Sequence, residues 1–278
     1  MIPEVQGRVW FITGCSSGFG WELAVLALRR GERVVATARQ PDSLVALARE
    51  NPERCLVLPL DVTNREQIGA AVAEAEEHFG GIDVLVNNAG RGFMVSIEAA
   101  REEDVRAAFE LNFFGLVALT QAVLPGMRHR RRGHVVNISS TGGLVGRAGS
   151  GFYAATKFAV EGLSEALAEE VAPYGIRVTV VEPSAFRTRF ATALRLGSTE
   201  GYENTAGARS QQVVQGAGKQ AGDPARAAQA IMTAVDAPEP PLHLVLGNAA
   251  VDVARTKFNS FLREIDNWES VSRGVDFD

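Results

Sequence analysis

The chain has 278 residues with a formal net charge of -5; 46% are hydrophobic and 22% charged. This is an ordinary balance for one globular α/β layered domain, and the negative charge argues against a general nucleic-acid binder. Two cysteines, Cys15 and Cys55, cannot build a disulfide framework and suggest a reducing, cytoplasmic compartment. The four histidines are scattered without ligand spacing, so no metal site is expected. The first residues lack a basic region followed by an apolar core, and no apolar run approaches about 18 residues without charge. Neither a secretory leader nor a membrane span is expected.

Residues 8–13 are β-branched and aromatic, which predicts a buried strand ended by Gly14. Gly14-Cys15-Ser16-Ser17-Gly18-Phe19-Gly20 follows, and a helical pattern continues to Arg30. Strand, glycine turn and helix in that order predict a dinucleotide-binding unit, in which glycines let the backbone approach a pyrophosphate. Residues 32–38 predict the second strand. An NAD-binding chain usually carries an acid near its end, for the ribose 2′-hydroxyl. Here Ala38 is followed by Arg39, whose guanidinium suits a 2′-phosphate, so NADP(H) is favoured over NAD(H). Asp42 is the competing residue: it caps the next helix, or it supplies the acid if the loop folds back.

Residues 55–60 predict a third strand, 64–79 an amphipathic helix ended by Gly80-Gly81, and 82–86 a fourth strand that runs into Asn87-Asn88-Ala89-Gly90. Residues 102–127 read as a helix interrupted near Asn112, a mediocre helix former. The basic run 128–132 reads as a solvated turn between that helix and the next strand. Residues 134–138 predict that strand, and a glycine-rich loop carries Ser139 and Ser140 towards a helix containing Tyr153 and Lys157. Four residues apart, those two side chains share one helix face. An ammonium about 4 Å from a phenol favours the phenolate by ~4 kcal/mol at an effective dielectric of ~20. That is ~3 pKa units, which would bring the phenol close to physiological pH.

These four features, the glycine loop, Asn87-Asn88-Ala89-Gly90, Ser140 and Tyr153-x-x-x-Lys157, resemble the short-chain dehydrogenase/reductase family in its short single-domain branch. The resemblance is strong over residues 7–190, and the layout is similar to bacterial relatives of hydroxysteroid and retinol dehydrogenases and ketoreductases. It implies a Rossmann-type α/β fold: one doubly wound parallel sheet of about seven strands, helices on both faces, in a single domain over 1–278. It implies Tyr153 as general acid/base, Ser140 (thirteen residues before it) as the oxygen's hydrogen-bonding partner, Lys157 as pKa-lowering and ribose-binding, and Asn112 as holder of a helix distortion and a water. Around the cofactor it implies Gly14, Ser16, Ser17, Gly18, Phe19, Gly20, Arg39, Asp61 and Val62 at the adenosine and phosphate end. Asn88, Ala89, Gly90, Tyr153, Lys157, Pro183, Ser184 and Thr188 complete the set. Ser184 stands where the family has glycine, which restricts the backbone beside the nicotinamide.

Residues 176–181 predict the sixth strand, and 197–222 are polar and aperiodic, read as a substrate lid. Asp223-Pro224 opens a helix, 240–247 give the seventh strand, a closing helix starts at Asn248, and 269–278 read as a tail. Phe93, Leu144 and Phe186, with Ser140 and Tyr153, are the expected substrate walls and favour an apolar ketone, aldehyde or secondary alcohol. A homodimer or homotetramer is implied, with Phe158, Val160 and Leu163 offering apolar surface. The competing readings are an NAD-dependent alcohol dehydrogenase and a non-catalytic dinucleotide sensor or scaffold.

Overall fold

The computed structural model describes residues 7–277; residues 1–6, on which the expectation of no leader rests, lie outside them. The first strand, β1 (Val9–Ile12), is buried on both faces, as a central parallel strand must be. Its side chains alternate: Trp10 and Ile12 enter one apolar cluster, Val9 and Phe11 the other. After β1 come α1 (Gly18–Arg29), β2 (Arg33–Ala38), α2 (Val45–Glu50), β3 (Cys55–Pro59), α3 (Arg65–Phe79) and β4 (Val84–Asn87). The second half contains β5 (Phe93–Met94), α4 (Glu102–Phe109), α5 (Gly115–Arg130), β6 (Gly133–Ile138), α6 (Gly151–Val171) and β7 (Ile176–Pro183). It closes with β8 (Arg195–Leu196), α7 (Ala208–Gln215), α8 (Pro224–Asp236), β9 (His243–Leu246) and α9 (Asn248–Arg273).

Seven strands pair in the order β3-β2-β1-β4-β6-β7-β9, all parallel. Helices α1 and α8 cover one face; α3 and α5, with the C-terminal part of α6, cover the other. This is the expected Rossmann-type sheet. Strand order reverses between β1 and β4, so a crevice opens beyond their carboxyl ends, where ligands of such sheets bind. A buried polar chain ties the second half together. Asn87 on β4 donates to Thr120 on α5 and to Asn137 on β6, and Asn137 donates to Ser164 on α6. Each of these groups is satisfied, so burial carries no unpaired polar atom at these positions.

Local expectations differ from the structure in five places. Residues 197–222 are irregular only at their two ends: between them a π turn (Glu203–Gly207) leads into α7. The tail does not start at 269, because α9 continues to Arg273. Asp42 lies in the first turn of a 3-10 segment whose N-cap is Gln40, so it caps nothing. The basic run is not a free turn: α5 extends to Arg130, whose guanidinium donates to the Ile82 carbonyl, and Arg131 ends the helix with φ +51°. Finally, the continuous helical run Glu102–Arg130 is long and apolar enough to cross a membrane, by length and composition. Its Leu119, Val123 and Met127 are fully buried against the sheet, the ordinary fate of a core helix.

Helix α3 illustrates the local rules. Asn64 holds an extended N-cap conformation and its side chain accepts from the Glu66 and Gln67 amides. Asn64→Ala leaves both donors without that partner and is expected to lower stability by about 1 kcal/mol. The check is a lower midpoint in urea denaturation with an unchanged slope.

Candidate active site

The glycine loop follows β1 directly into the crevice. Gly18 has φ +61° with Thr188 packed over it, and a Cβ on Gly20 would stand 2.6 Å from the Gly14 carbonyl oxygen. Only glycine fits this close approach, and it keeps the N-terminal end of α1 open to a phosphate. The loop is clamped from β4: Asn88 and Ala89 amides both donate to Thr13 Oγ1 at 2.9 Å. Asn88 Nδ2 donates to the carbonyls of Thr13 and Gly14. Asn88 therefore shapes the loop through its backbone. Ser17 N-caps α1 without a side-chain hydrogen bond, and Phe19 is buried beneath the loop.

An open cleft of about 690 Å³ lies beside this loop, lined by Ser16, Arg39, Gln40, Asp42, Ser43 and Arg189. Two guanidiniums and two hydroxyls suit a phosphate, and Asp42 suits a ribose hydroxyl. Arg189 was not singled out in the sequence; it comes from the segment after β7, and its Nη2 donates to the Ser16 carbonyl at 2.6 Å. Asp61 and Val62 follow β3. Hydrogen bonds from Thr63 hold the Asp61 carboxyl below its usual range, against burial, with Arg39 adding attraction. Val62 is buried against Gly115. Ser184 avoids the left-handed region and its amide pairs with the Leu246 carbonyl, so no glycine is needed there. Pro183 is buried at the end of β7, and Thr188 caps the following 3-10 turn by accepting from Phe190 N.

Beyond β6 the structure brings Ser140, Tyr153, Lys157 and Asn112 together. Ser140 Oγ accepts from Gly142 N at 3.0 Å, and the same hydroxyl acts on the Tyr153 phenol in the direction of ionisation. Lys157 is buried, donates from Nζ to the Ile138 carbonyl at 2.8 Å, and lies 6.0 Å from the Tyr153 ring centroid. Asn112 occupies a π turn (Glu110–Phe114) between α4 and α5. Its Oδ1 accepts from Arg91 N and its Nδ2 donates to Arg91 O, both at 2.9 Å, so it locks the loop after Asn87-Asn88-Ala89-Gly90 onto the helix. A Cβ on Gly90 would be 3.1 Å from Asn112 Oδ1 and 3.8 Å from Lys157 Nζ.

The electrostatics correct one expectation. Burial pushes the Tyr153 phenol up to about 12, against the Ser140 hydrogen bond that favours ionisation. Burial also pushes Lys157 down to about 8, although the Glu161 carboxylate favours its charge. Desolvation of both groups outweighs their mutual attraction at this separation. At neutral pH the arrangement holds a protonated phenol, a donor.

Of the expected apolar walls, Phe93 is buried in β5, where it lines a separate cavity of about 110 Å³ with Arg91, Leu111 and Asp104. Phe186 packs edge-on against Phe19 at 5.0 Å and is half-buried; Leu144 is half-buried at the end of the turn after Ser140. The ring that stands over Tyr153 is Phe190, 5.9 Å away and 43% exposed. No periodicity marks Phe190, because it belongs to a short 3-10 turn positioned by Thr188. The 197–222 segment is tied to this side: Gly197 N donates to Met94 O, Ser96 N to Ser198 O, and Tyr202 Oη to Glu98 at 2.6 Å.

A second polar cluster lies beneath the serines. Ser139 Oγ donates to Glu161 Oε1, and His243 Nδ1 pairs with Glu182 Oε1 at 2.7 Å. Ligand-type atoms of Glu161, Glu182 and His243 lie within 4.8 Å of one another, a donor set of the kind divalent cations take. Residues 161, 182 and 243 meet only because α6, β7 and β9 are adjacent, which no sequence spacing displays. Burial, with Glu182 adding repulsion, pushes Glu161 up to about 7 against the Ser139 hydrogen bond.

Comparison with known proteins adds to this geometry. Residues 8–199 match the family model described as short chain dehydrogenase. A short-chain dehydrogenase structure from Streptomyces avermitilis is 46% identical, with a TM-score of 0.92 over 98% of this chain and 100% of that one. The 3-ketodihydrosphingosine reductase of Bacteroides thetaiotaomicron is 38% identical over 262 residues, 93% of this chain and 94% of that protein. Serine dehydrogenase in its closed form complexed with NADP+ is 30% identical, with a TM-score of 0.75 over 86% of this chain and 94% of that one.

The raised Glu161 pKa has a stability consequence. Its folded value near 7 exceeds the ordinary 4.5, so the folded state binds the proton more tightly and stability falls as pH rises from about 4.5 to 7. Glu161→Gln is expected to flatten that part of the profile, measured as melting temperature between pH 4.5 and 7.5. An unchanged slope would show that Glu161 ionises normally.

Proposed function

The chain belongs to the short chain dehydrogenase family, and on that premise we propose that it is an NADP(H)-dependent oxidoreductase of apolar ketones, aldehydes or secondary alcohols. Its chemistry is exchange between carbonyl and CH–OH groups with a nicotinamide dinucleotide. The observation that carries the reading is Tyr153 with Ser140 acting on its phenol and Lys157 one helical turn away, in a chain whose glycine loop adjoins a cleft lined by Ser16, Arg39 and Arg189.

The cofactor fits residues present: Gly18 and Gly20 leave the backbone close approach a pyrophosphate requires, and Arg39 with Arg189 supply charge for a 2′-phosphate. When bound, the nicotinamide exchanges a hydride with the substrate's carbonyl carbon. In reduction, Tyr153 donates its phenolic proton to the carbonyl oxygen as that oxygen gains negative charge, and Ser140 Oγ–H stabilises the same oxygen. Lys157, held by the Ile138 carbonyl, keeps positive charge beside the phenolate left behind and offers an N–H to the nicotinamide ribose. Asn112 fixes the π turn that positions the loop carrying Gly90 and Arg91. Oxidation runs the same proton path backwards. Phe190, over Tyr153, supplies apolar surface for the substrate, consistent with a relative whose name carries a ketone on a sphingosine skeleton. Asp42, in the same cleft, is the feature that favours the rival cofactor NAD(H).

The test is oxidation of NADPH and NADH against a panel of apolar ketones. Tyr153→Phe is expected to lower kcat by about 10²–10⁴-fold while leaving the NADPH dissociation constant nearly unchanged. Loss of cofactor binding with turnover would indicate misfolding instead. Arg39→Ala is expected to weaken NADPH by roughly tenfold or more and leave NADH unaffected; NADH preference in the parent protein overturns the Arg39 assignment.

The reductive rate should also depend on pH with a defined sign. Lys157, near 8, loses its charge as pH rises through that value, so reduction declines above about pH 8. Tyr153, near 12, stays protonated across the range and contributes no fall. A pH–rate profile of kcat/KM that stays flat to pH 9.5 would remove Lys157 from that role.

A further inference from the structure

Helix α9 begins seated on the protein and then leaves it. Ala250 and Ala254, in its first two turns, are buried beside β9. Beyond them, Phe258, Phe261, Leu262, Ile265, Trp268 and Val271 are all 46–63% exposed, and nothing among the described residues covers them. Exposure of six large apolar side chains within four turns is far more than scattered surface hydrophobics account for.

Their spacing is regular. Phe258 and Ile265 are seven residues apart, as are Phe261 and Trp268, and Val251 and Ala254 begin the same two rows. This is the a/d seam of a heptad pattern, the form that packs against another helix. Arg255, Lys257, Arg263 and Arg273 balance Asp252, Glu264, Asp266 and Glu269, so the helix is neutral. A helix lying on an anionic membrane would instead carry an excess of Lys and Arg on its polar face.

The pattern is complementary to itself in one direction. An antiparallel pairing centred near Arg263 sets Phe258 opposite Trp268 of a second copy and Phe261 opposite Ile265. It places Leu262 beside its own equivalent and brings Arg255 to Glu269. That register also brings Glu264 near its own equivalent, one like-charge contact against two Arg255–Glu269 contacts, whereas a parallel, in-register pairing sets Glu264 beside Glu269 twice, like against like. We propose that the exposed seam of α9 is the docking surface for a second copy of this chain, an antiparallel α9–α9 pair. The surface is separate from the exposed Phe158 of α6, so it adds an assembly contact beyond any made by the helix that carries Tyr153.

The test uses the full-length chain and light scattering coupled to size exclusion. Phe261→Glu with Ile265→Glu is expected to halve the assembled mass while NADPH binding is kept, since both residues are exposed and remote from the glycine loop. An unchanged mass overturns the proposal. Cysteine cross-linking reads the direction independently; both native cysteines are buried. Leu262→Cys should form a dimer on mild oxidation, and Phe258→Cys mixed with Trp268→Cys should form a mixed dimer, whereas Trp268→Cys alone should not. Self-linking of Trp268→Cys as readily as Leu262→Cys overturns the antiparallel arrangement. Binding of the parent chain to phosphatidylcholine/phosphatidylserine vesicles, lost in Phe261→Glu with Ile265→Glu while mass is unchanged, overturns it in favour of a membrane.

Discussion

The hydrogen bonds that Thr13 accepts and shares with Asn88 hold together the two halves of the site. Thr13 follows β1 and Asn88 follows β4, the neighbours between which strand order reverses. The Asn88 and Ala89 amides converge on one hydroxyl, and the Asn88 side chain takes the carbonyls of Thr13 and Gly14. That clamp fixes the exit angle of the glycine loop. With the angle fixed, Gly20 can touch the Gly14 carbonyl and Thr188 can lie over Gly18. The crevice is a consequence of parallel strand order, but its shape follows from this one buried knot of donors and acceptors.

A second constraint is desolvation. Lys157, Glu161 and Glu182 are all buried, and each has one polar partner, while Glu161 Oε2 and Glu182 Oε2 are buried without a hydrogen bond among the described residues. Lys157 is held by the Ile138 carbonyl, Glu161 by Ser139, and Glu182 by His243. Ile138, Ser139 and Ser140 are consecutive, so the end of β6 distributes three neighbouring groups: one carbonyl to the lysine, one hydroxyl to the buried acid, one hydroxyl to the tyrosine. Charge attraction alone would predict an acidic phenol; burial reverses the direction and leaves Tyr153 a donor.

The outer parts of the chain are attached differently. Residues 197–222 are anchored through Met94, Ser96 and Glu98, so the segment beside Phe190 is a braced wall with its own short helix. Helix α9 is braced only at its start, and its apolar rows continue beyond the body. Site and seam thus occupy opposite regimes: one closed by internal hydrogen bonds, the other left with exposed apolar surface.

The sequence by itself determined the strand and helix sequence, the glycine loop and the shared helix face of Tyr153 and Lys157, because these depend on local period and short spacing; the family resemblance chose Ser140 over Ser139. The β-branched and aromatic run of β1, the glycines after it, and the four-residue step from Tyr153 to Lys157 are all visible in a linear string. The resemblance added Asn112, whose π turn the structure contains. Only the tertiary structure decided what depends on distant neighbours. Arg189 reaches Ser16 across the crevice, Phe190 rather than Phe93 faces Tyr153, and Glu161, Glu182 and His243 converge from three elements. Periodicity reports which face a residue occupies, not what stands opposite. The balance of desolvation against charge, which sets the state of Tyr153 and Lys157, is likewise a property of the packed interior.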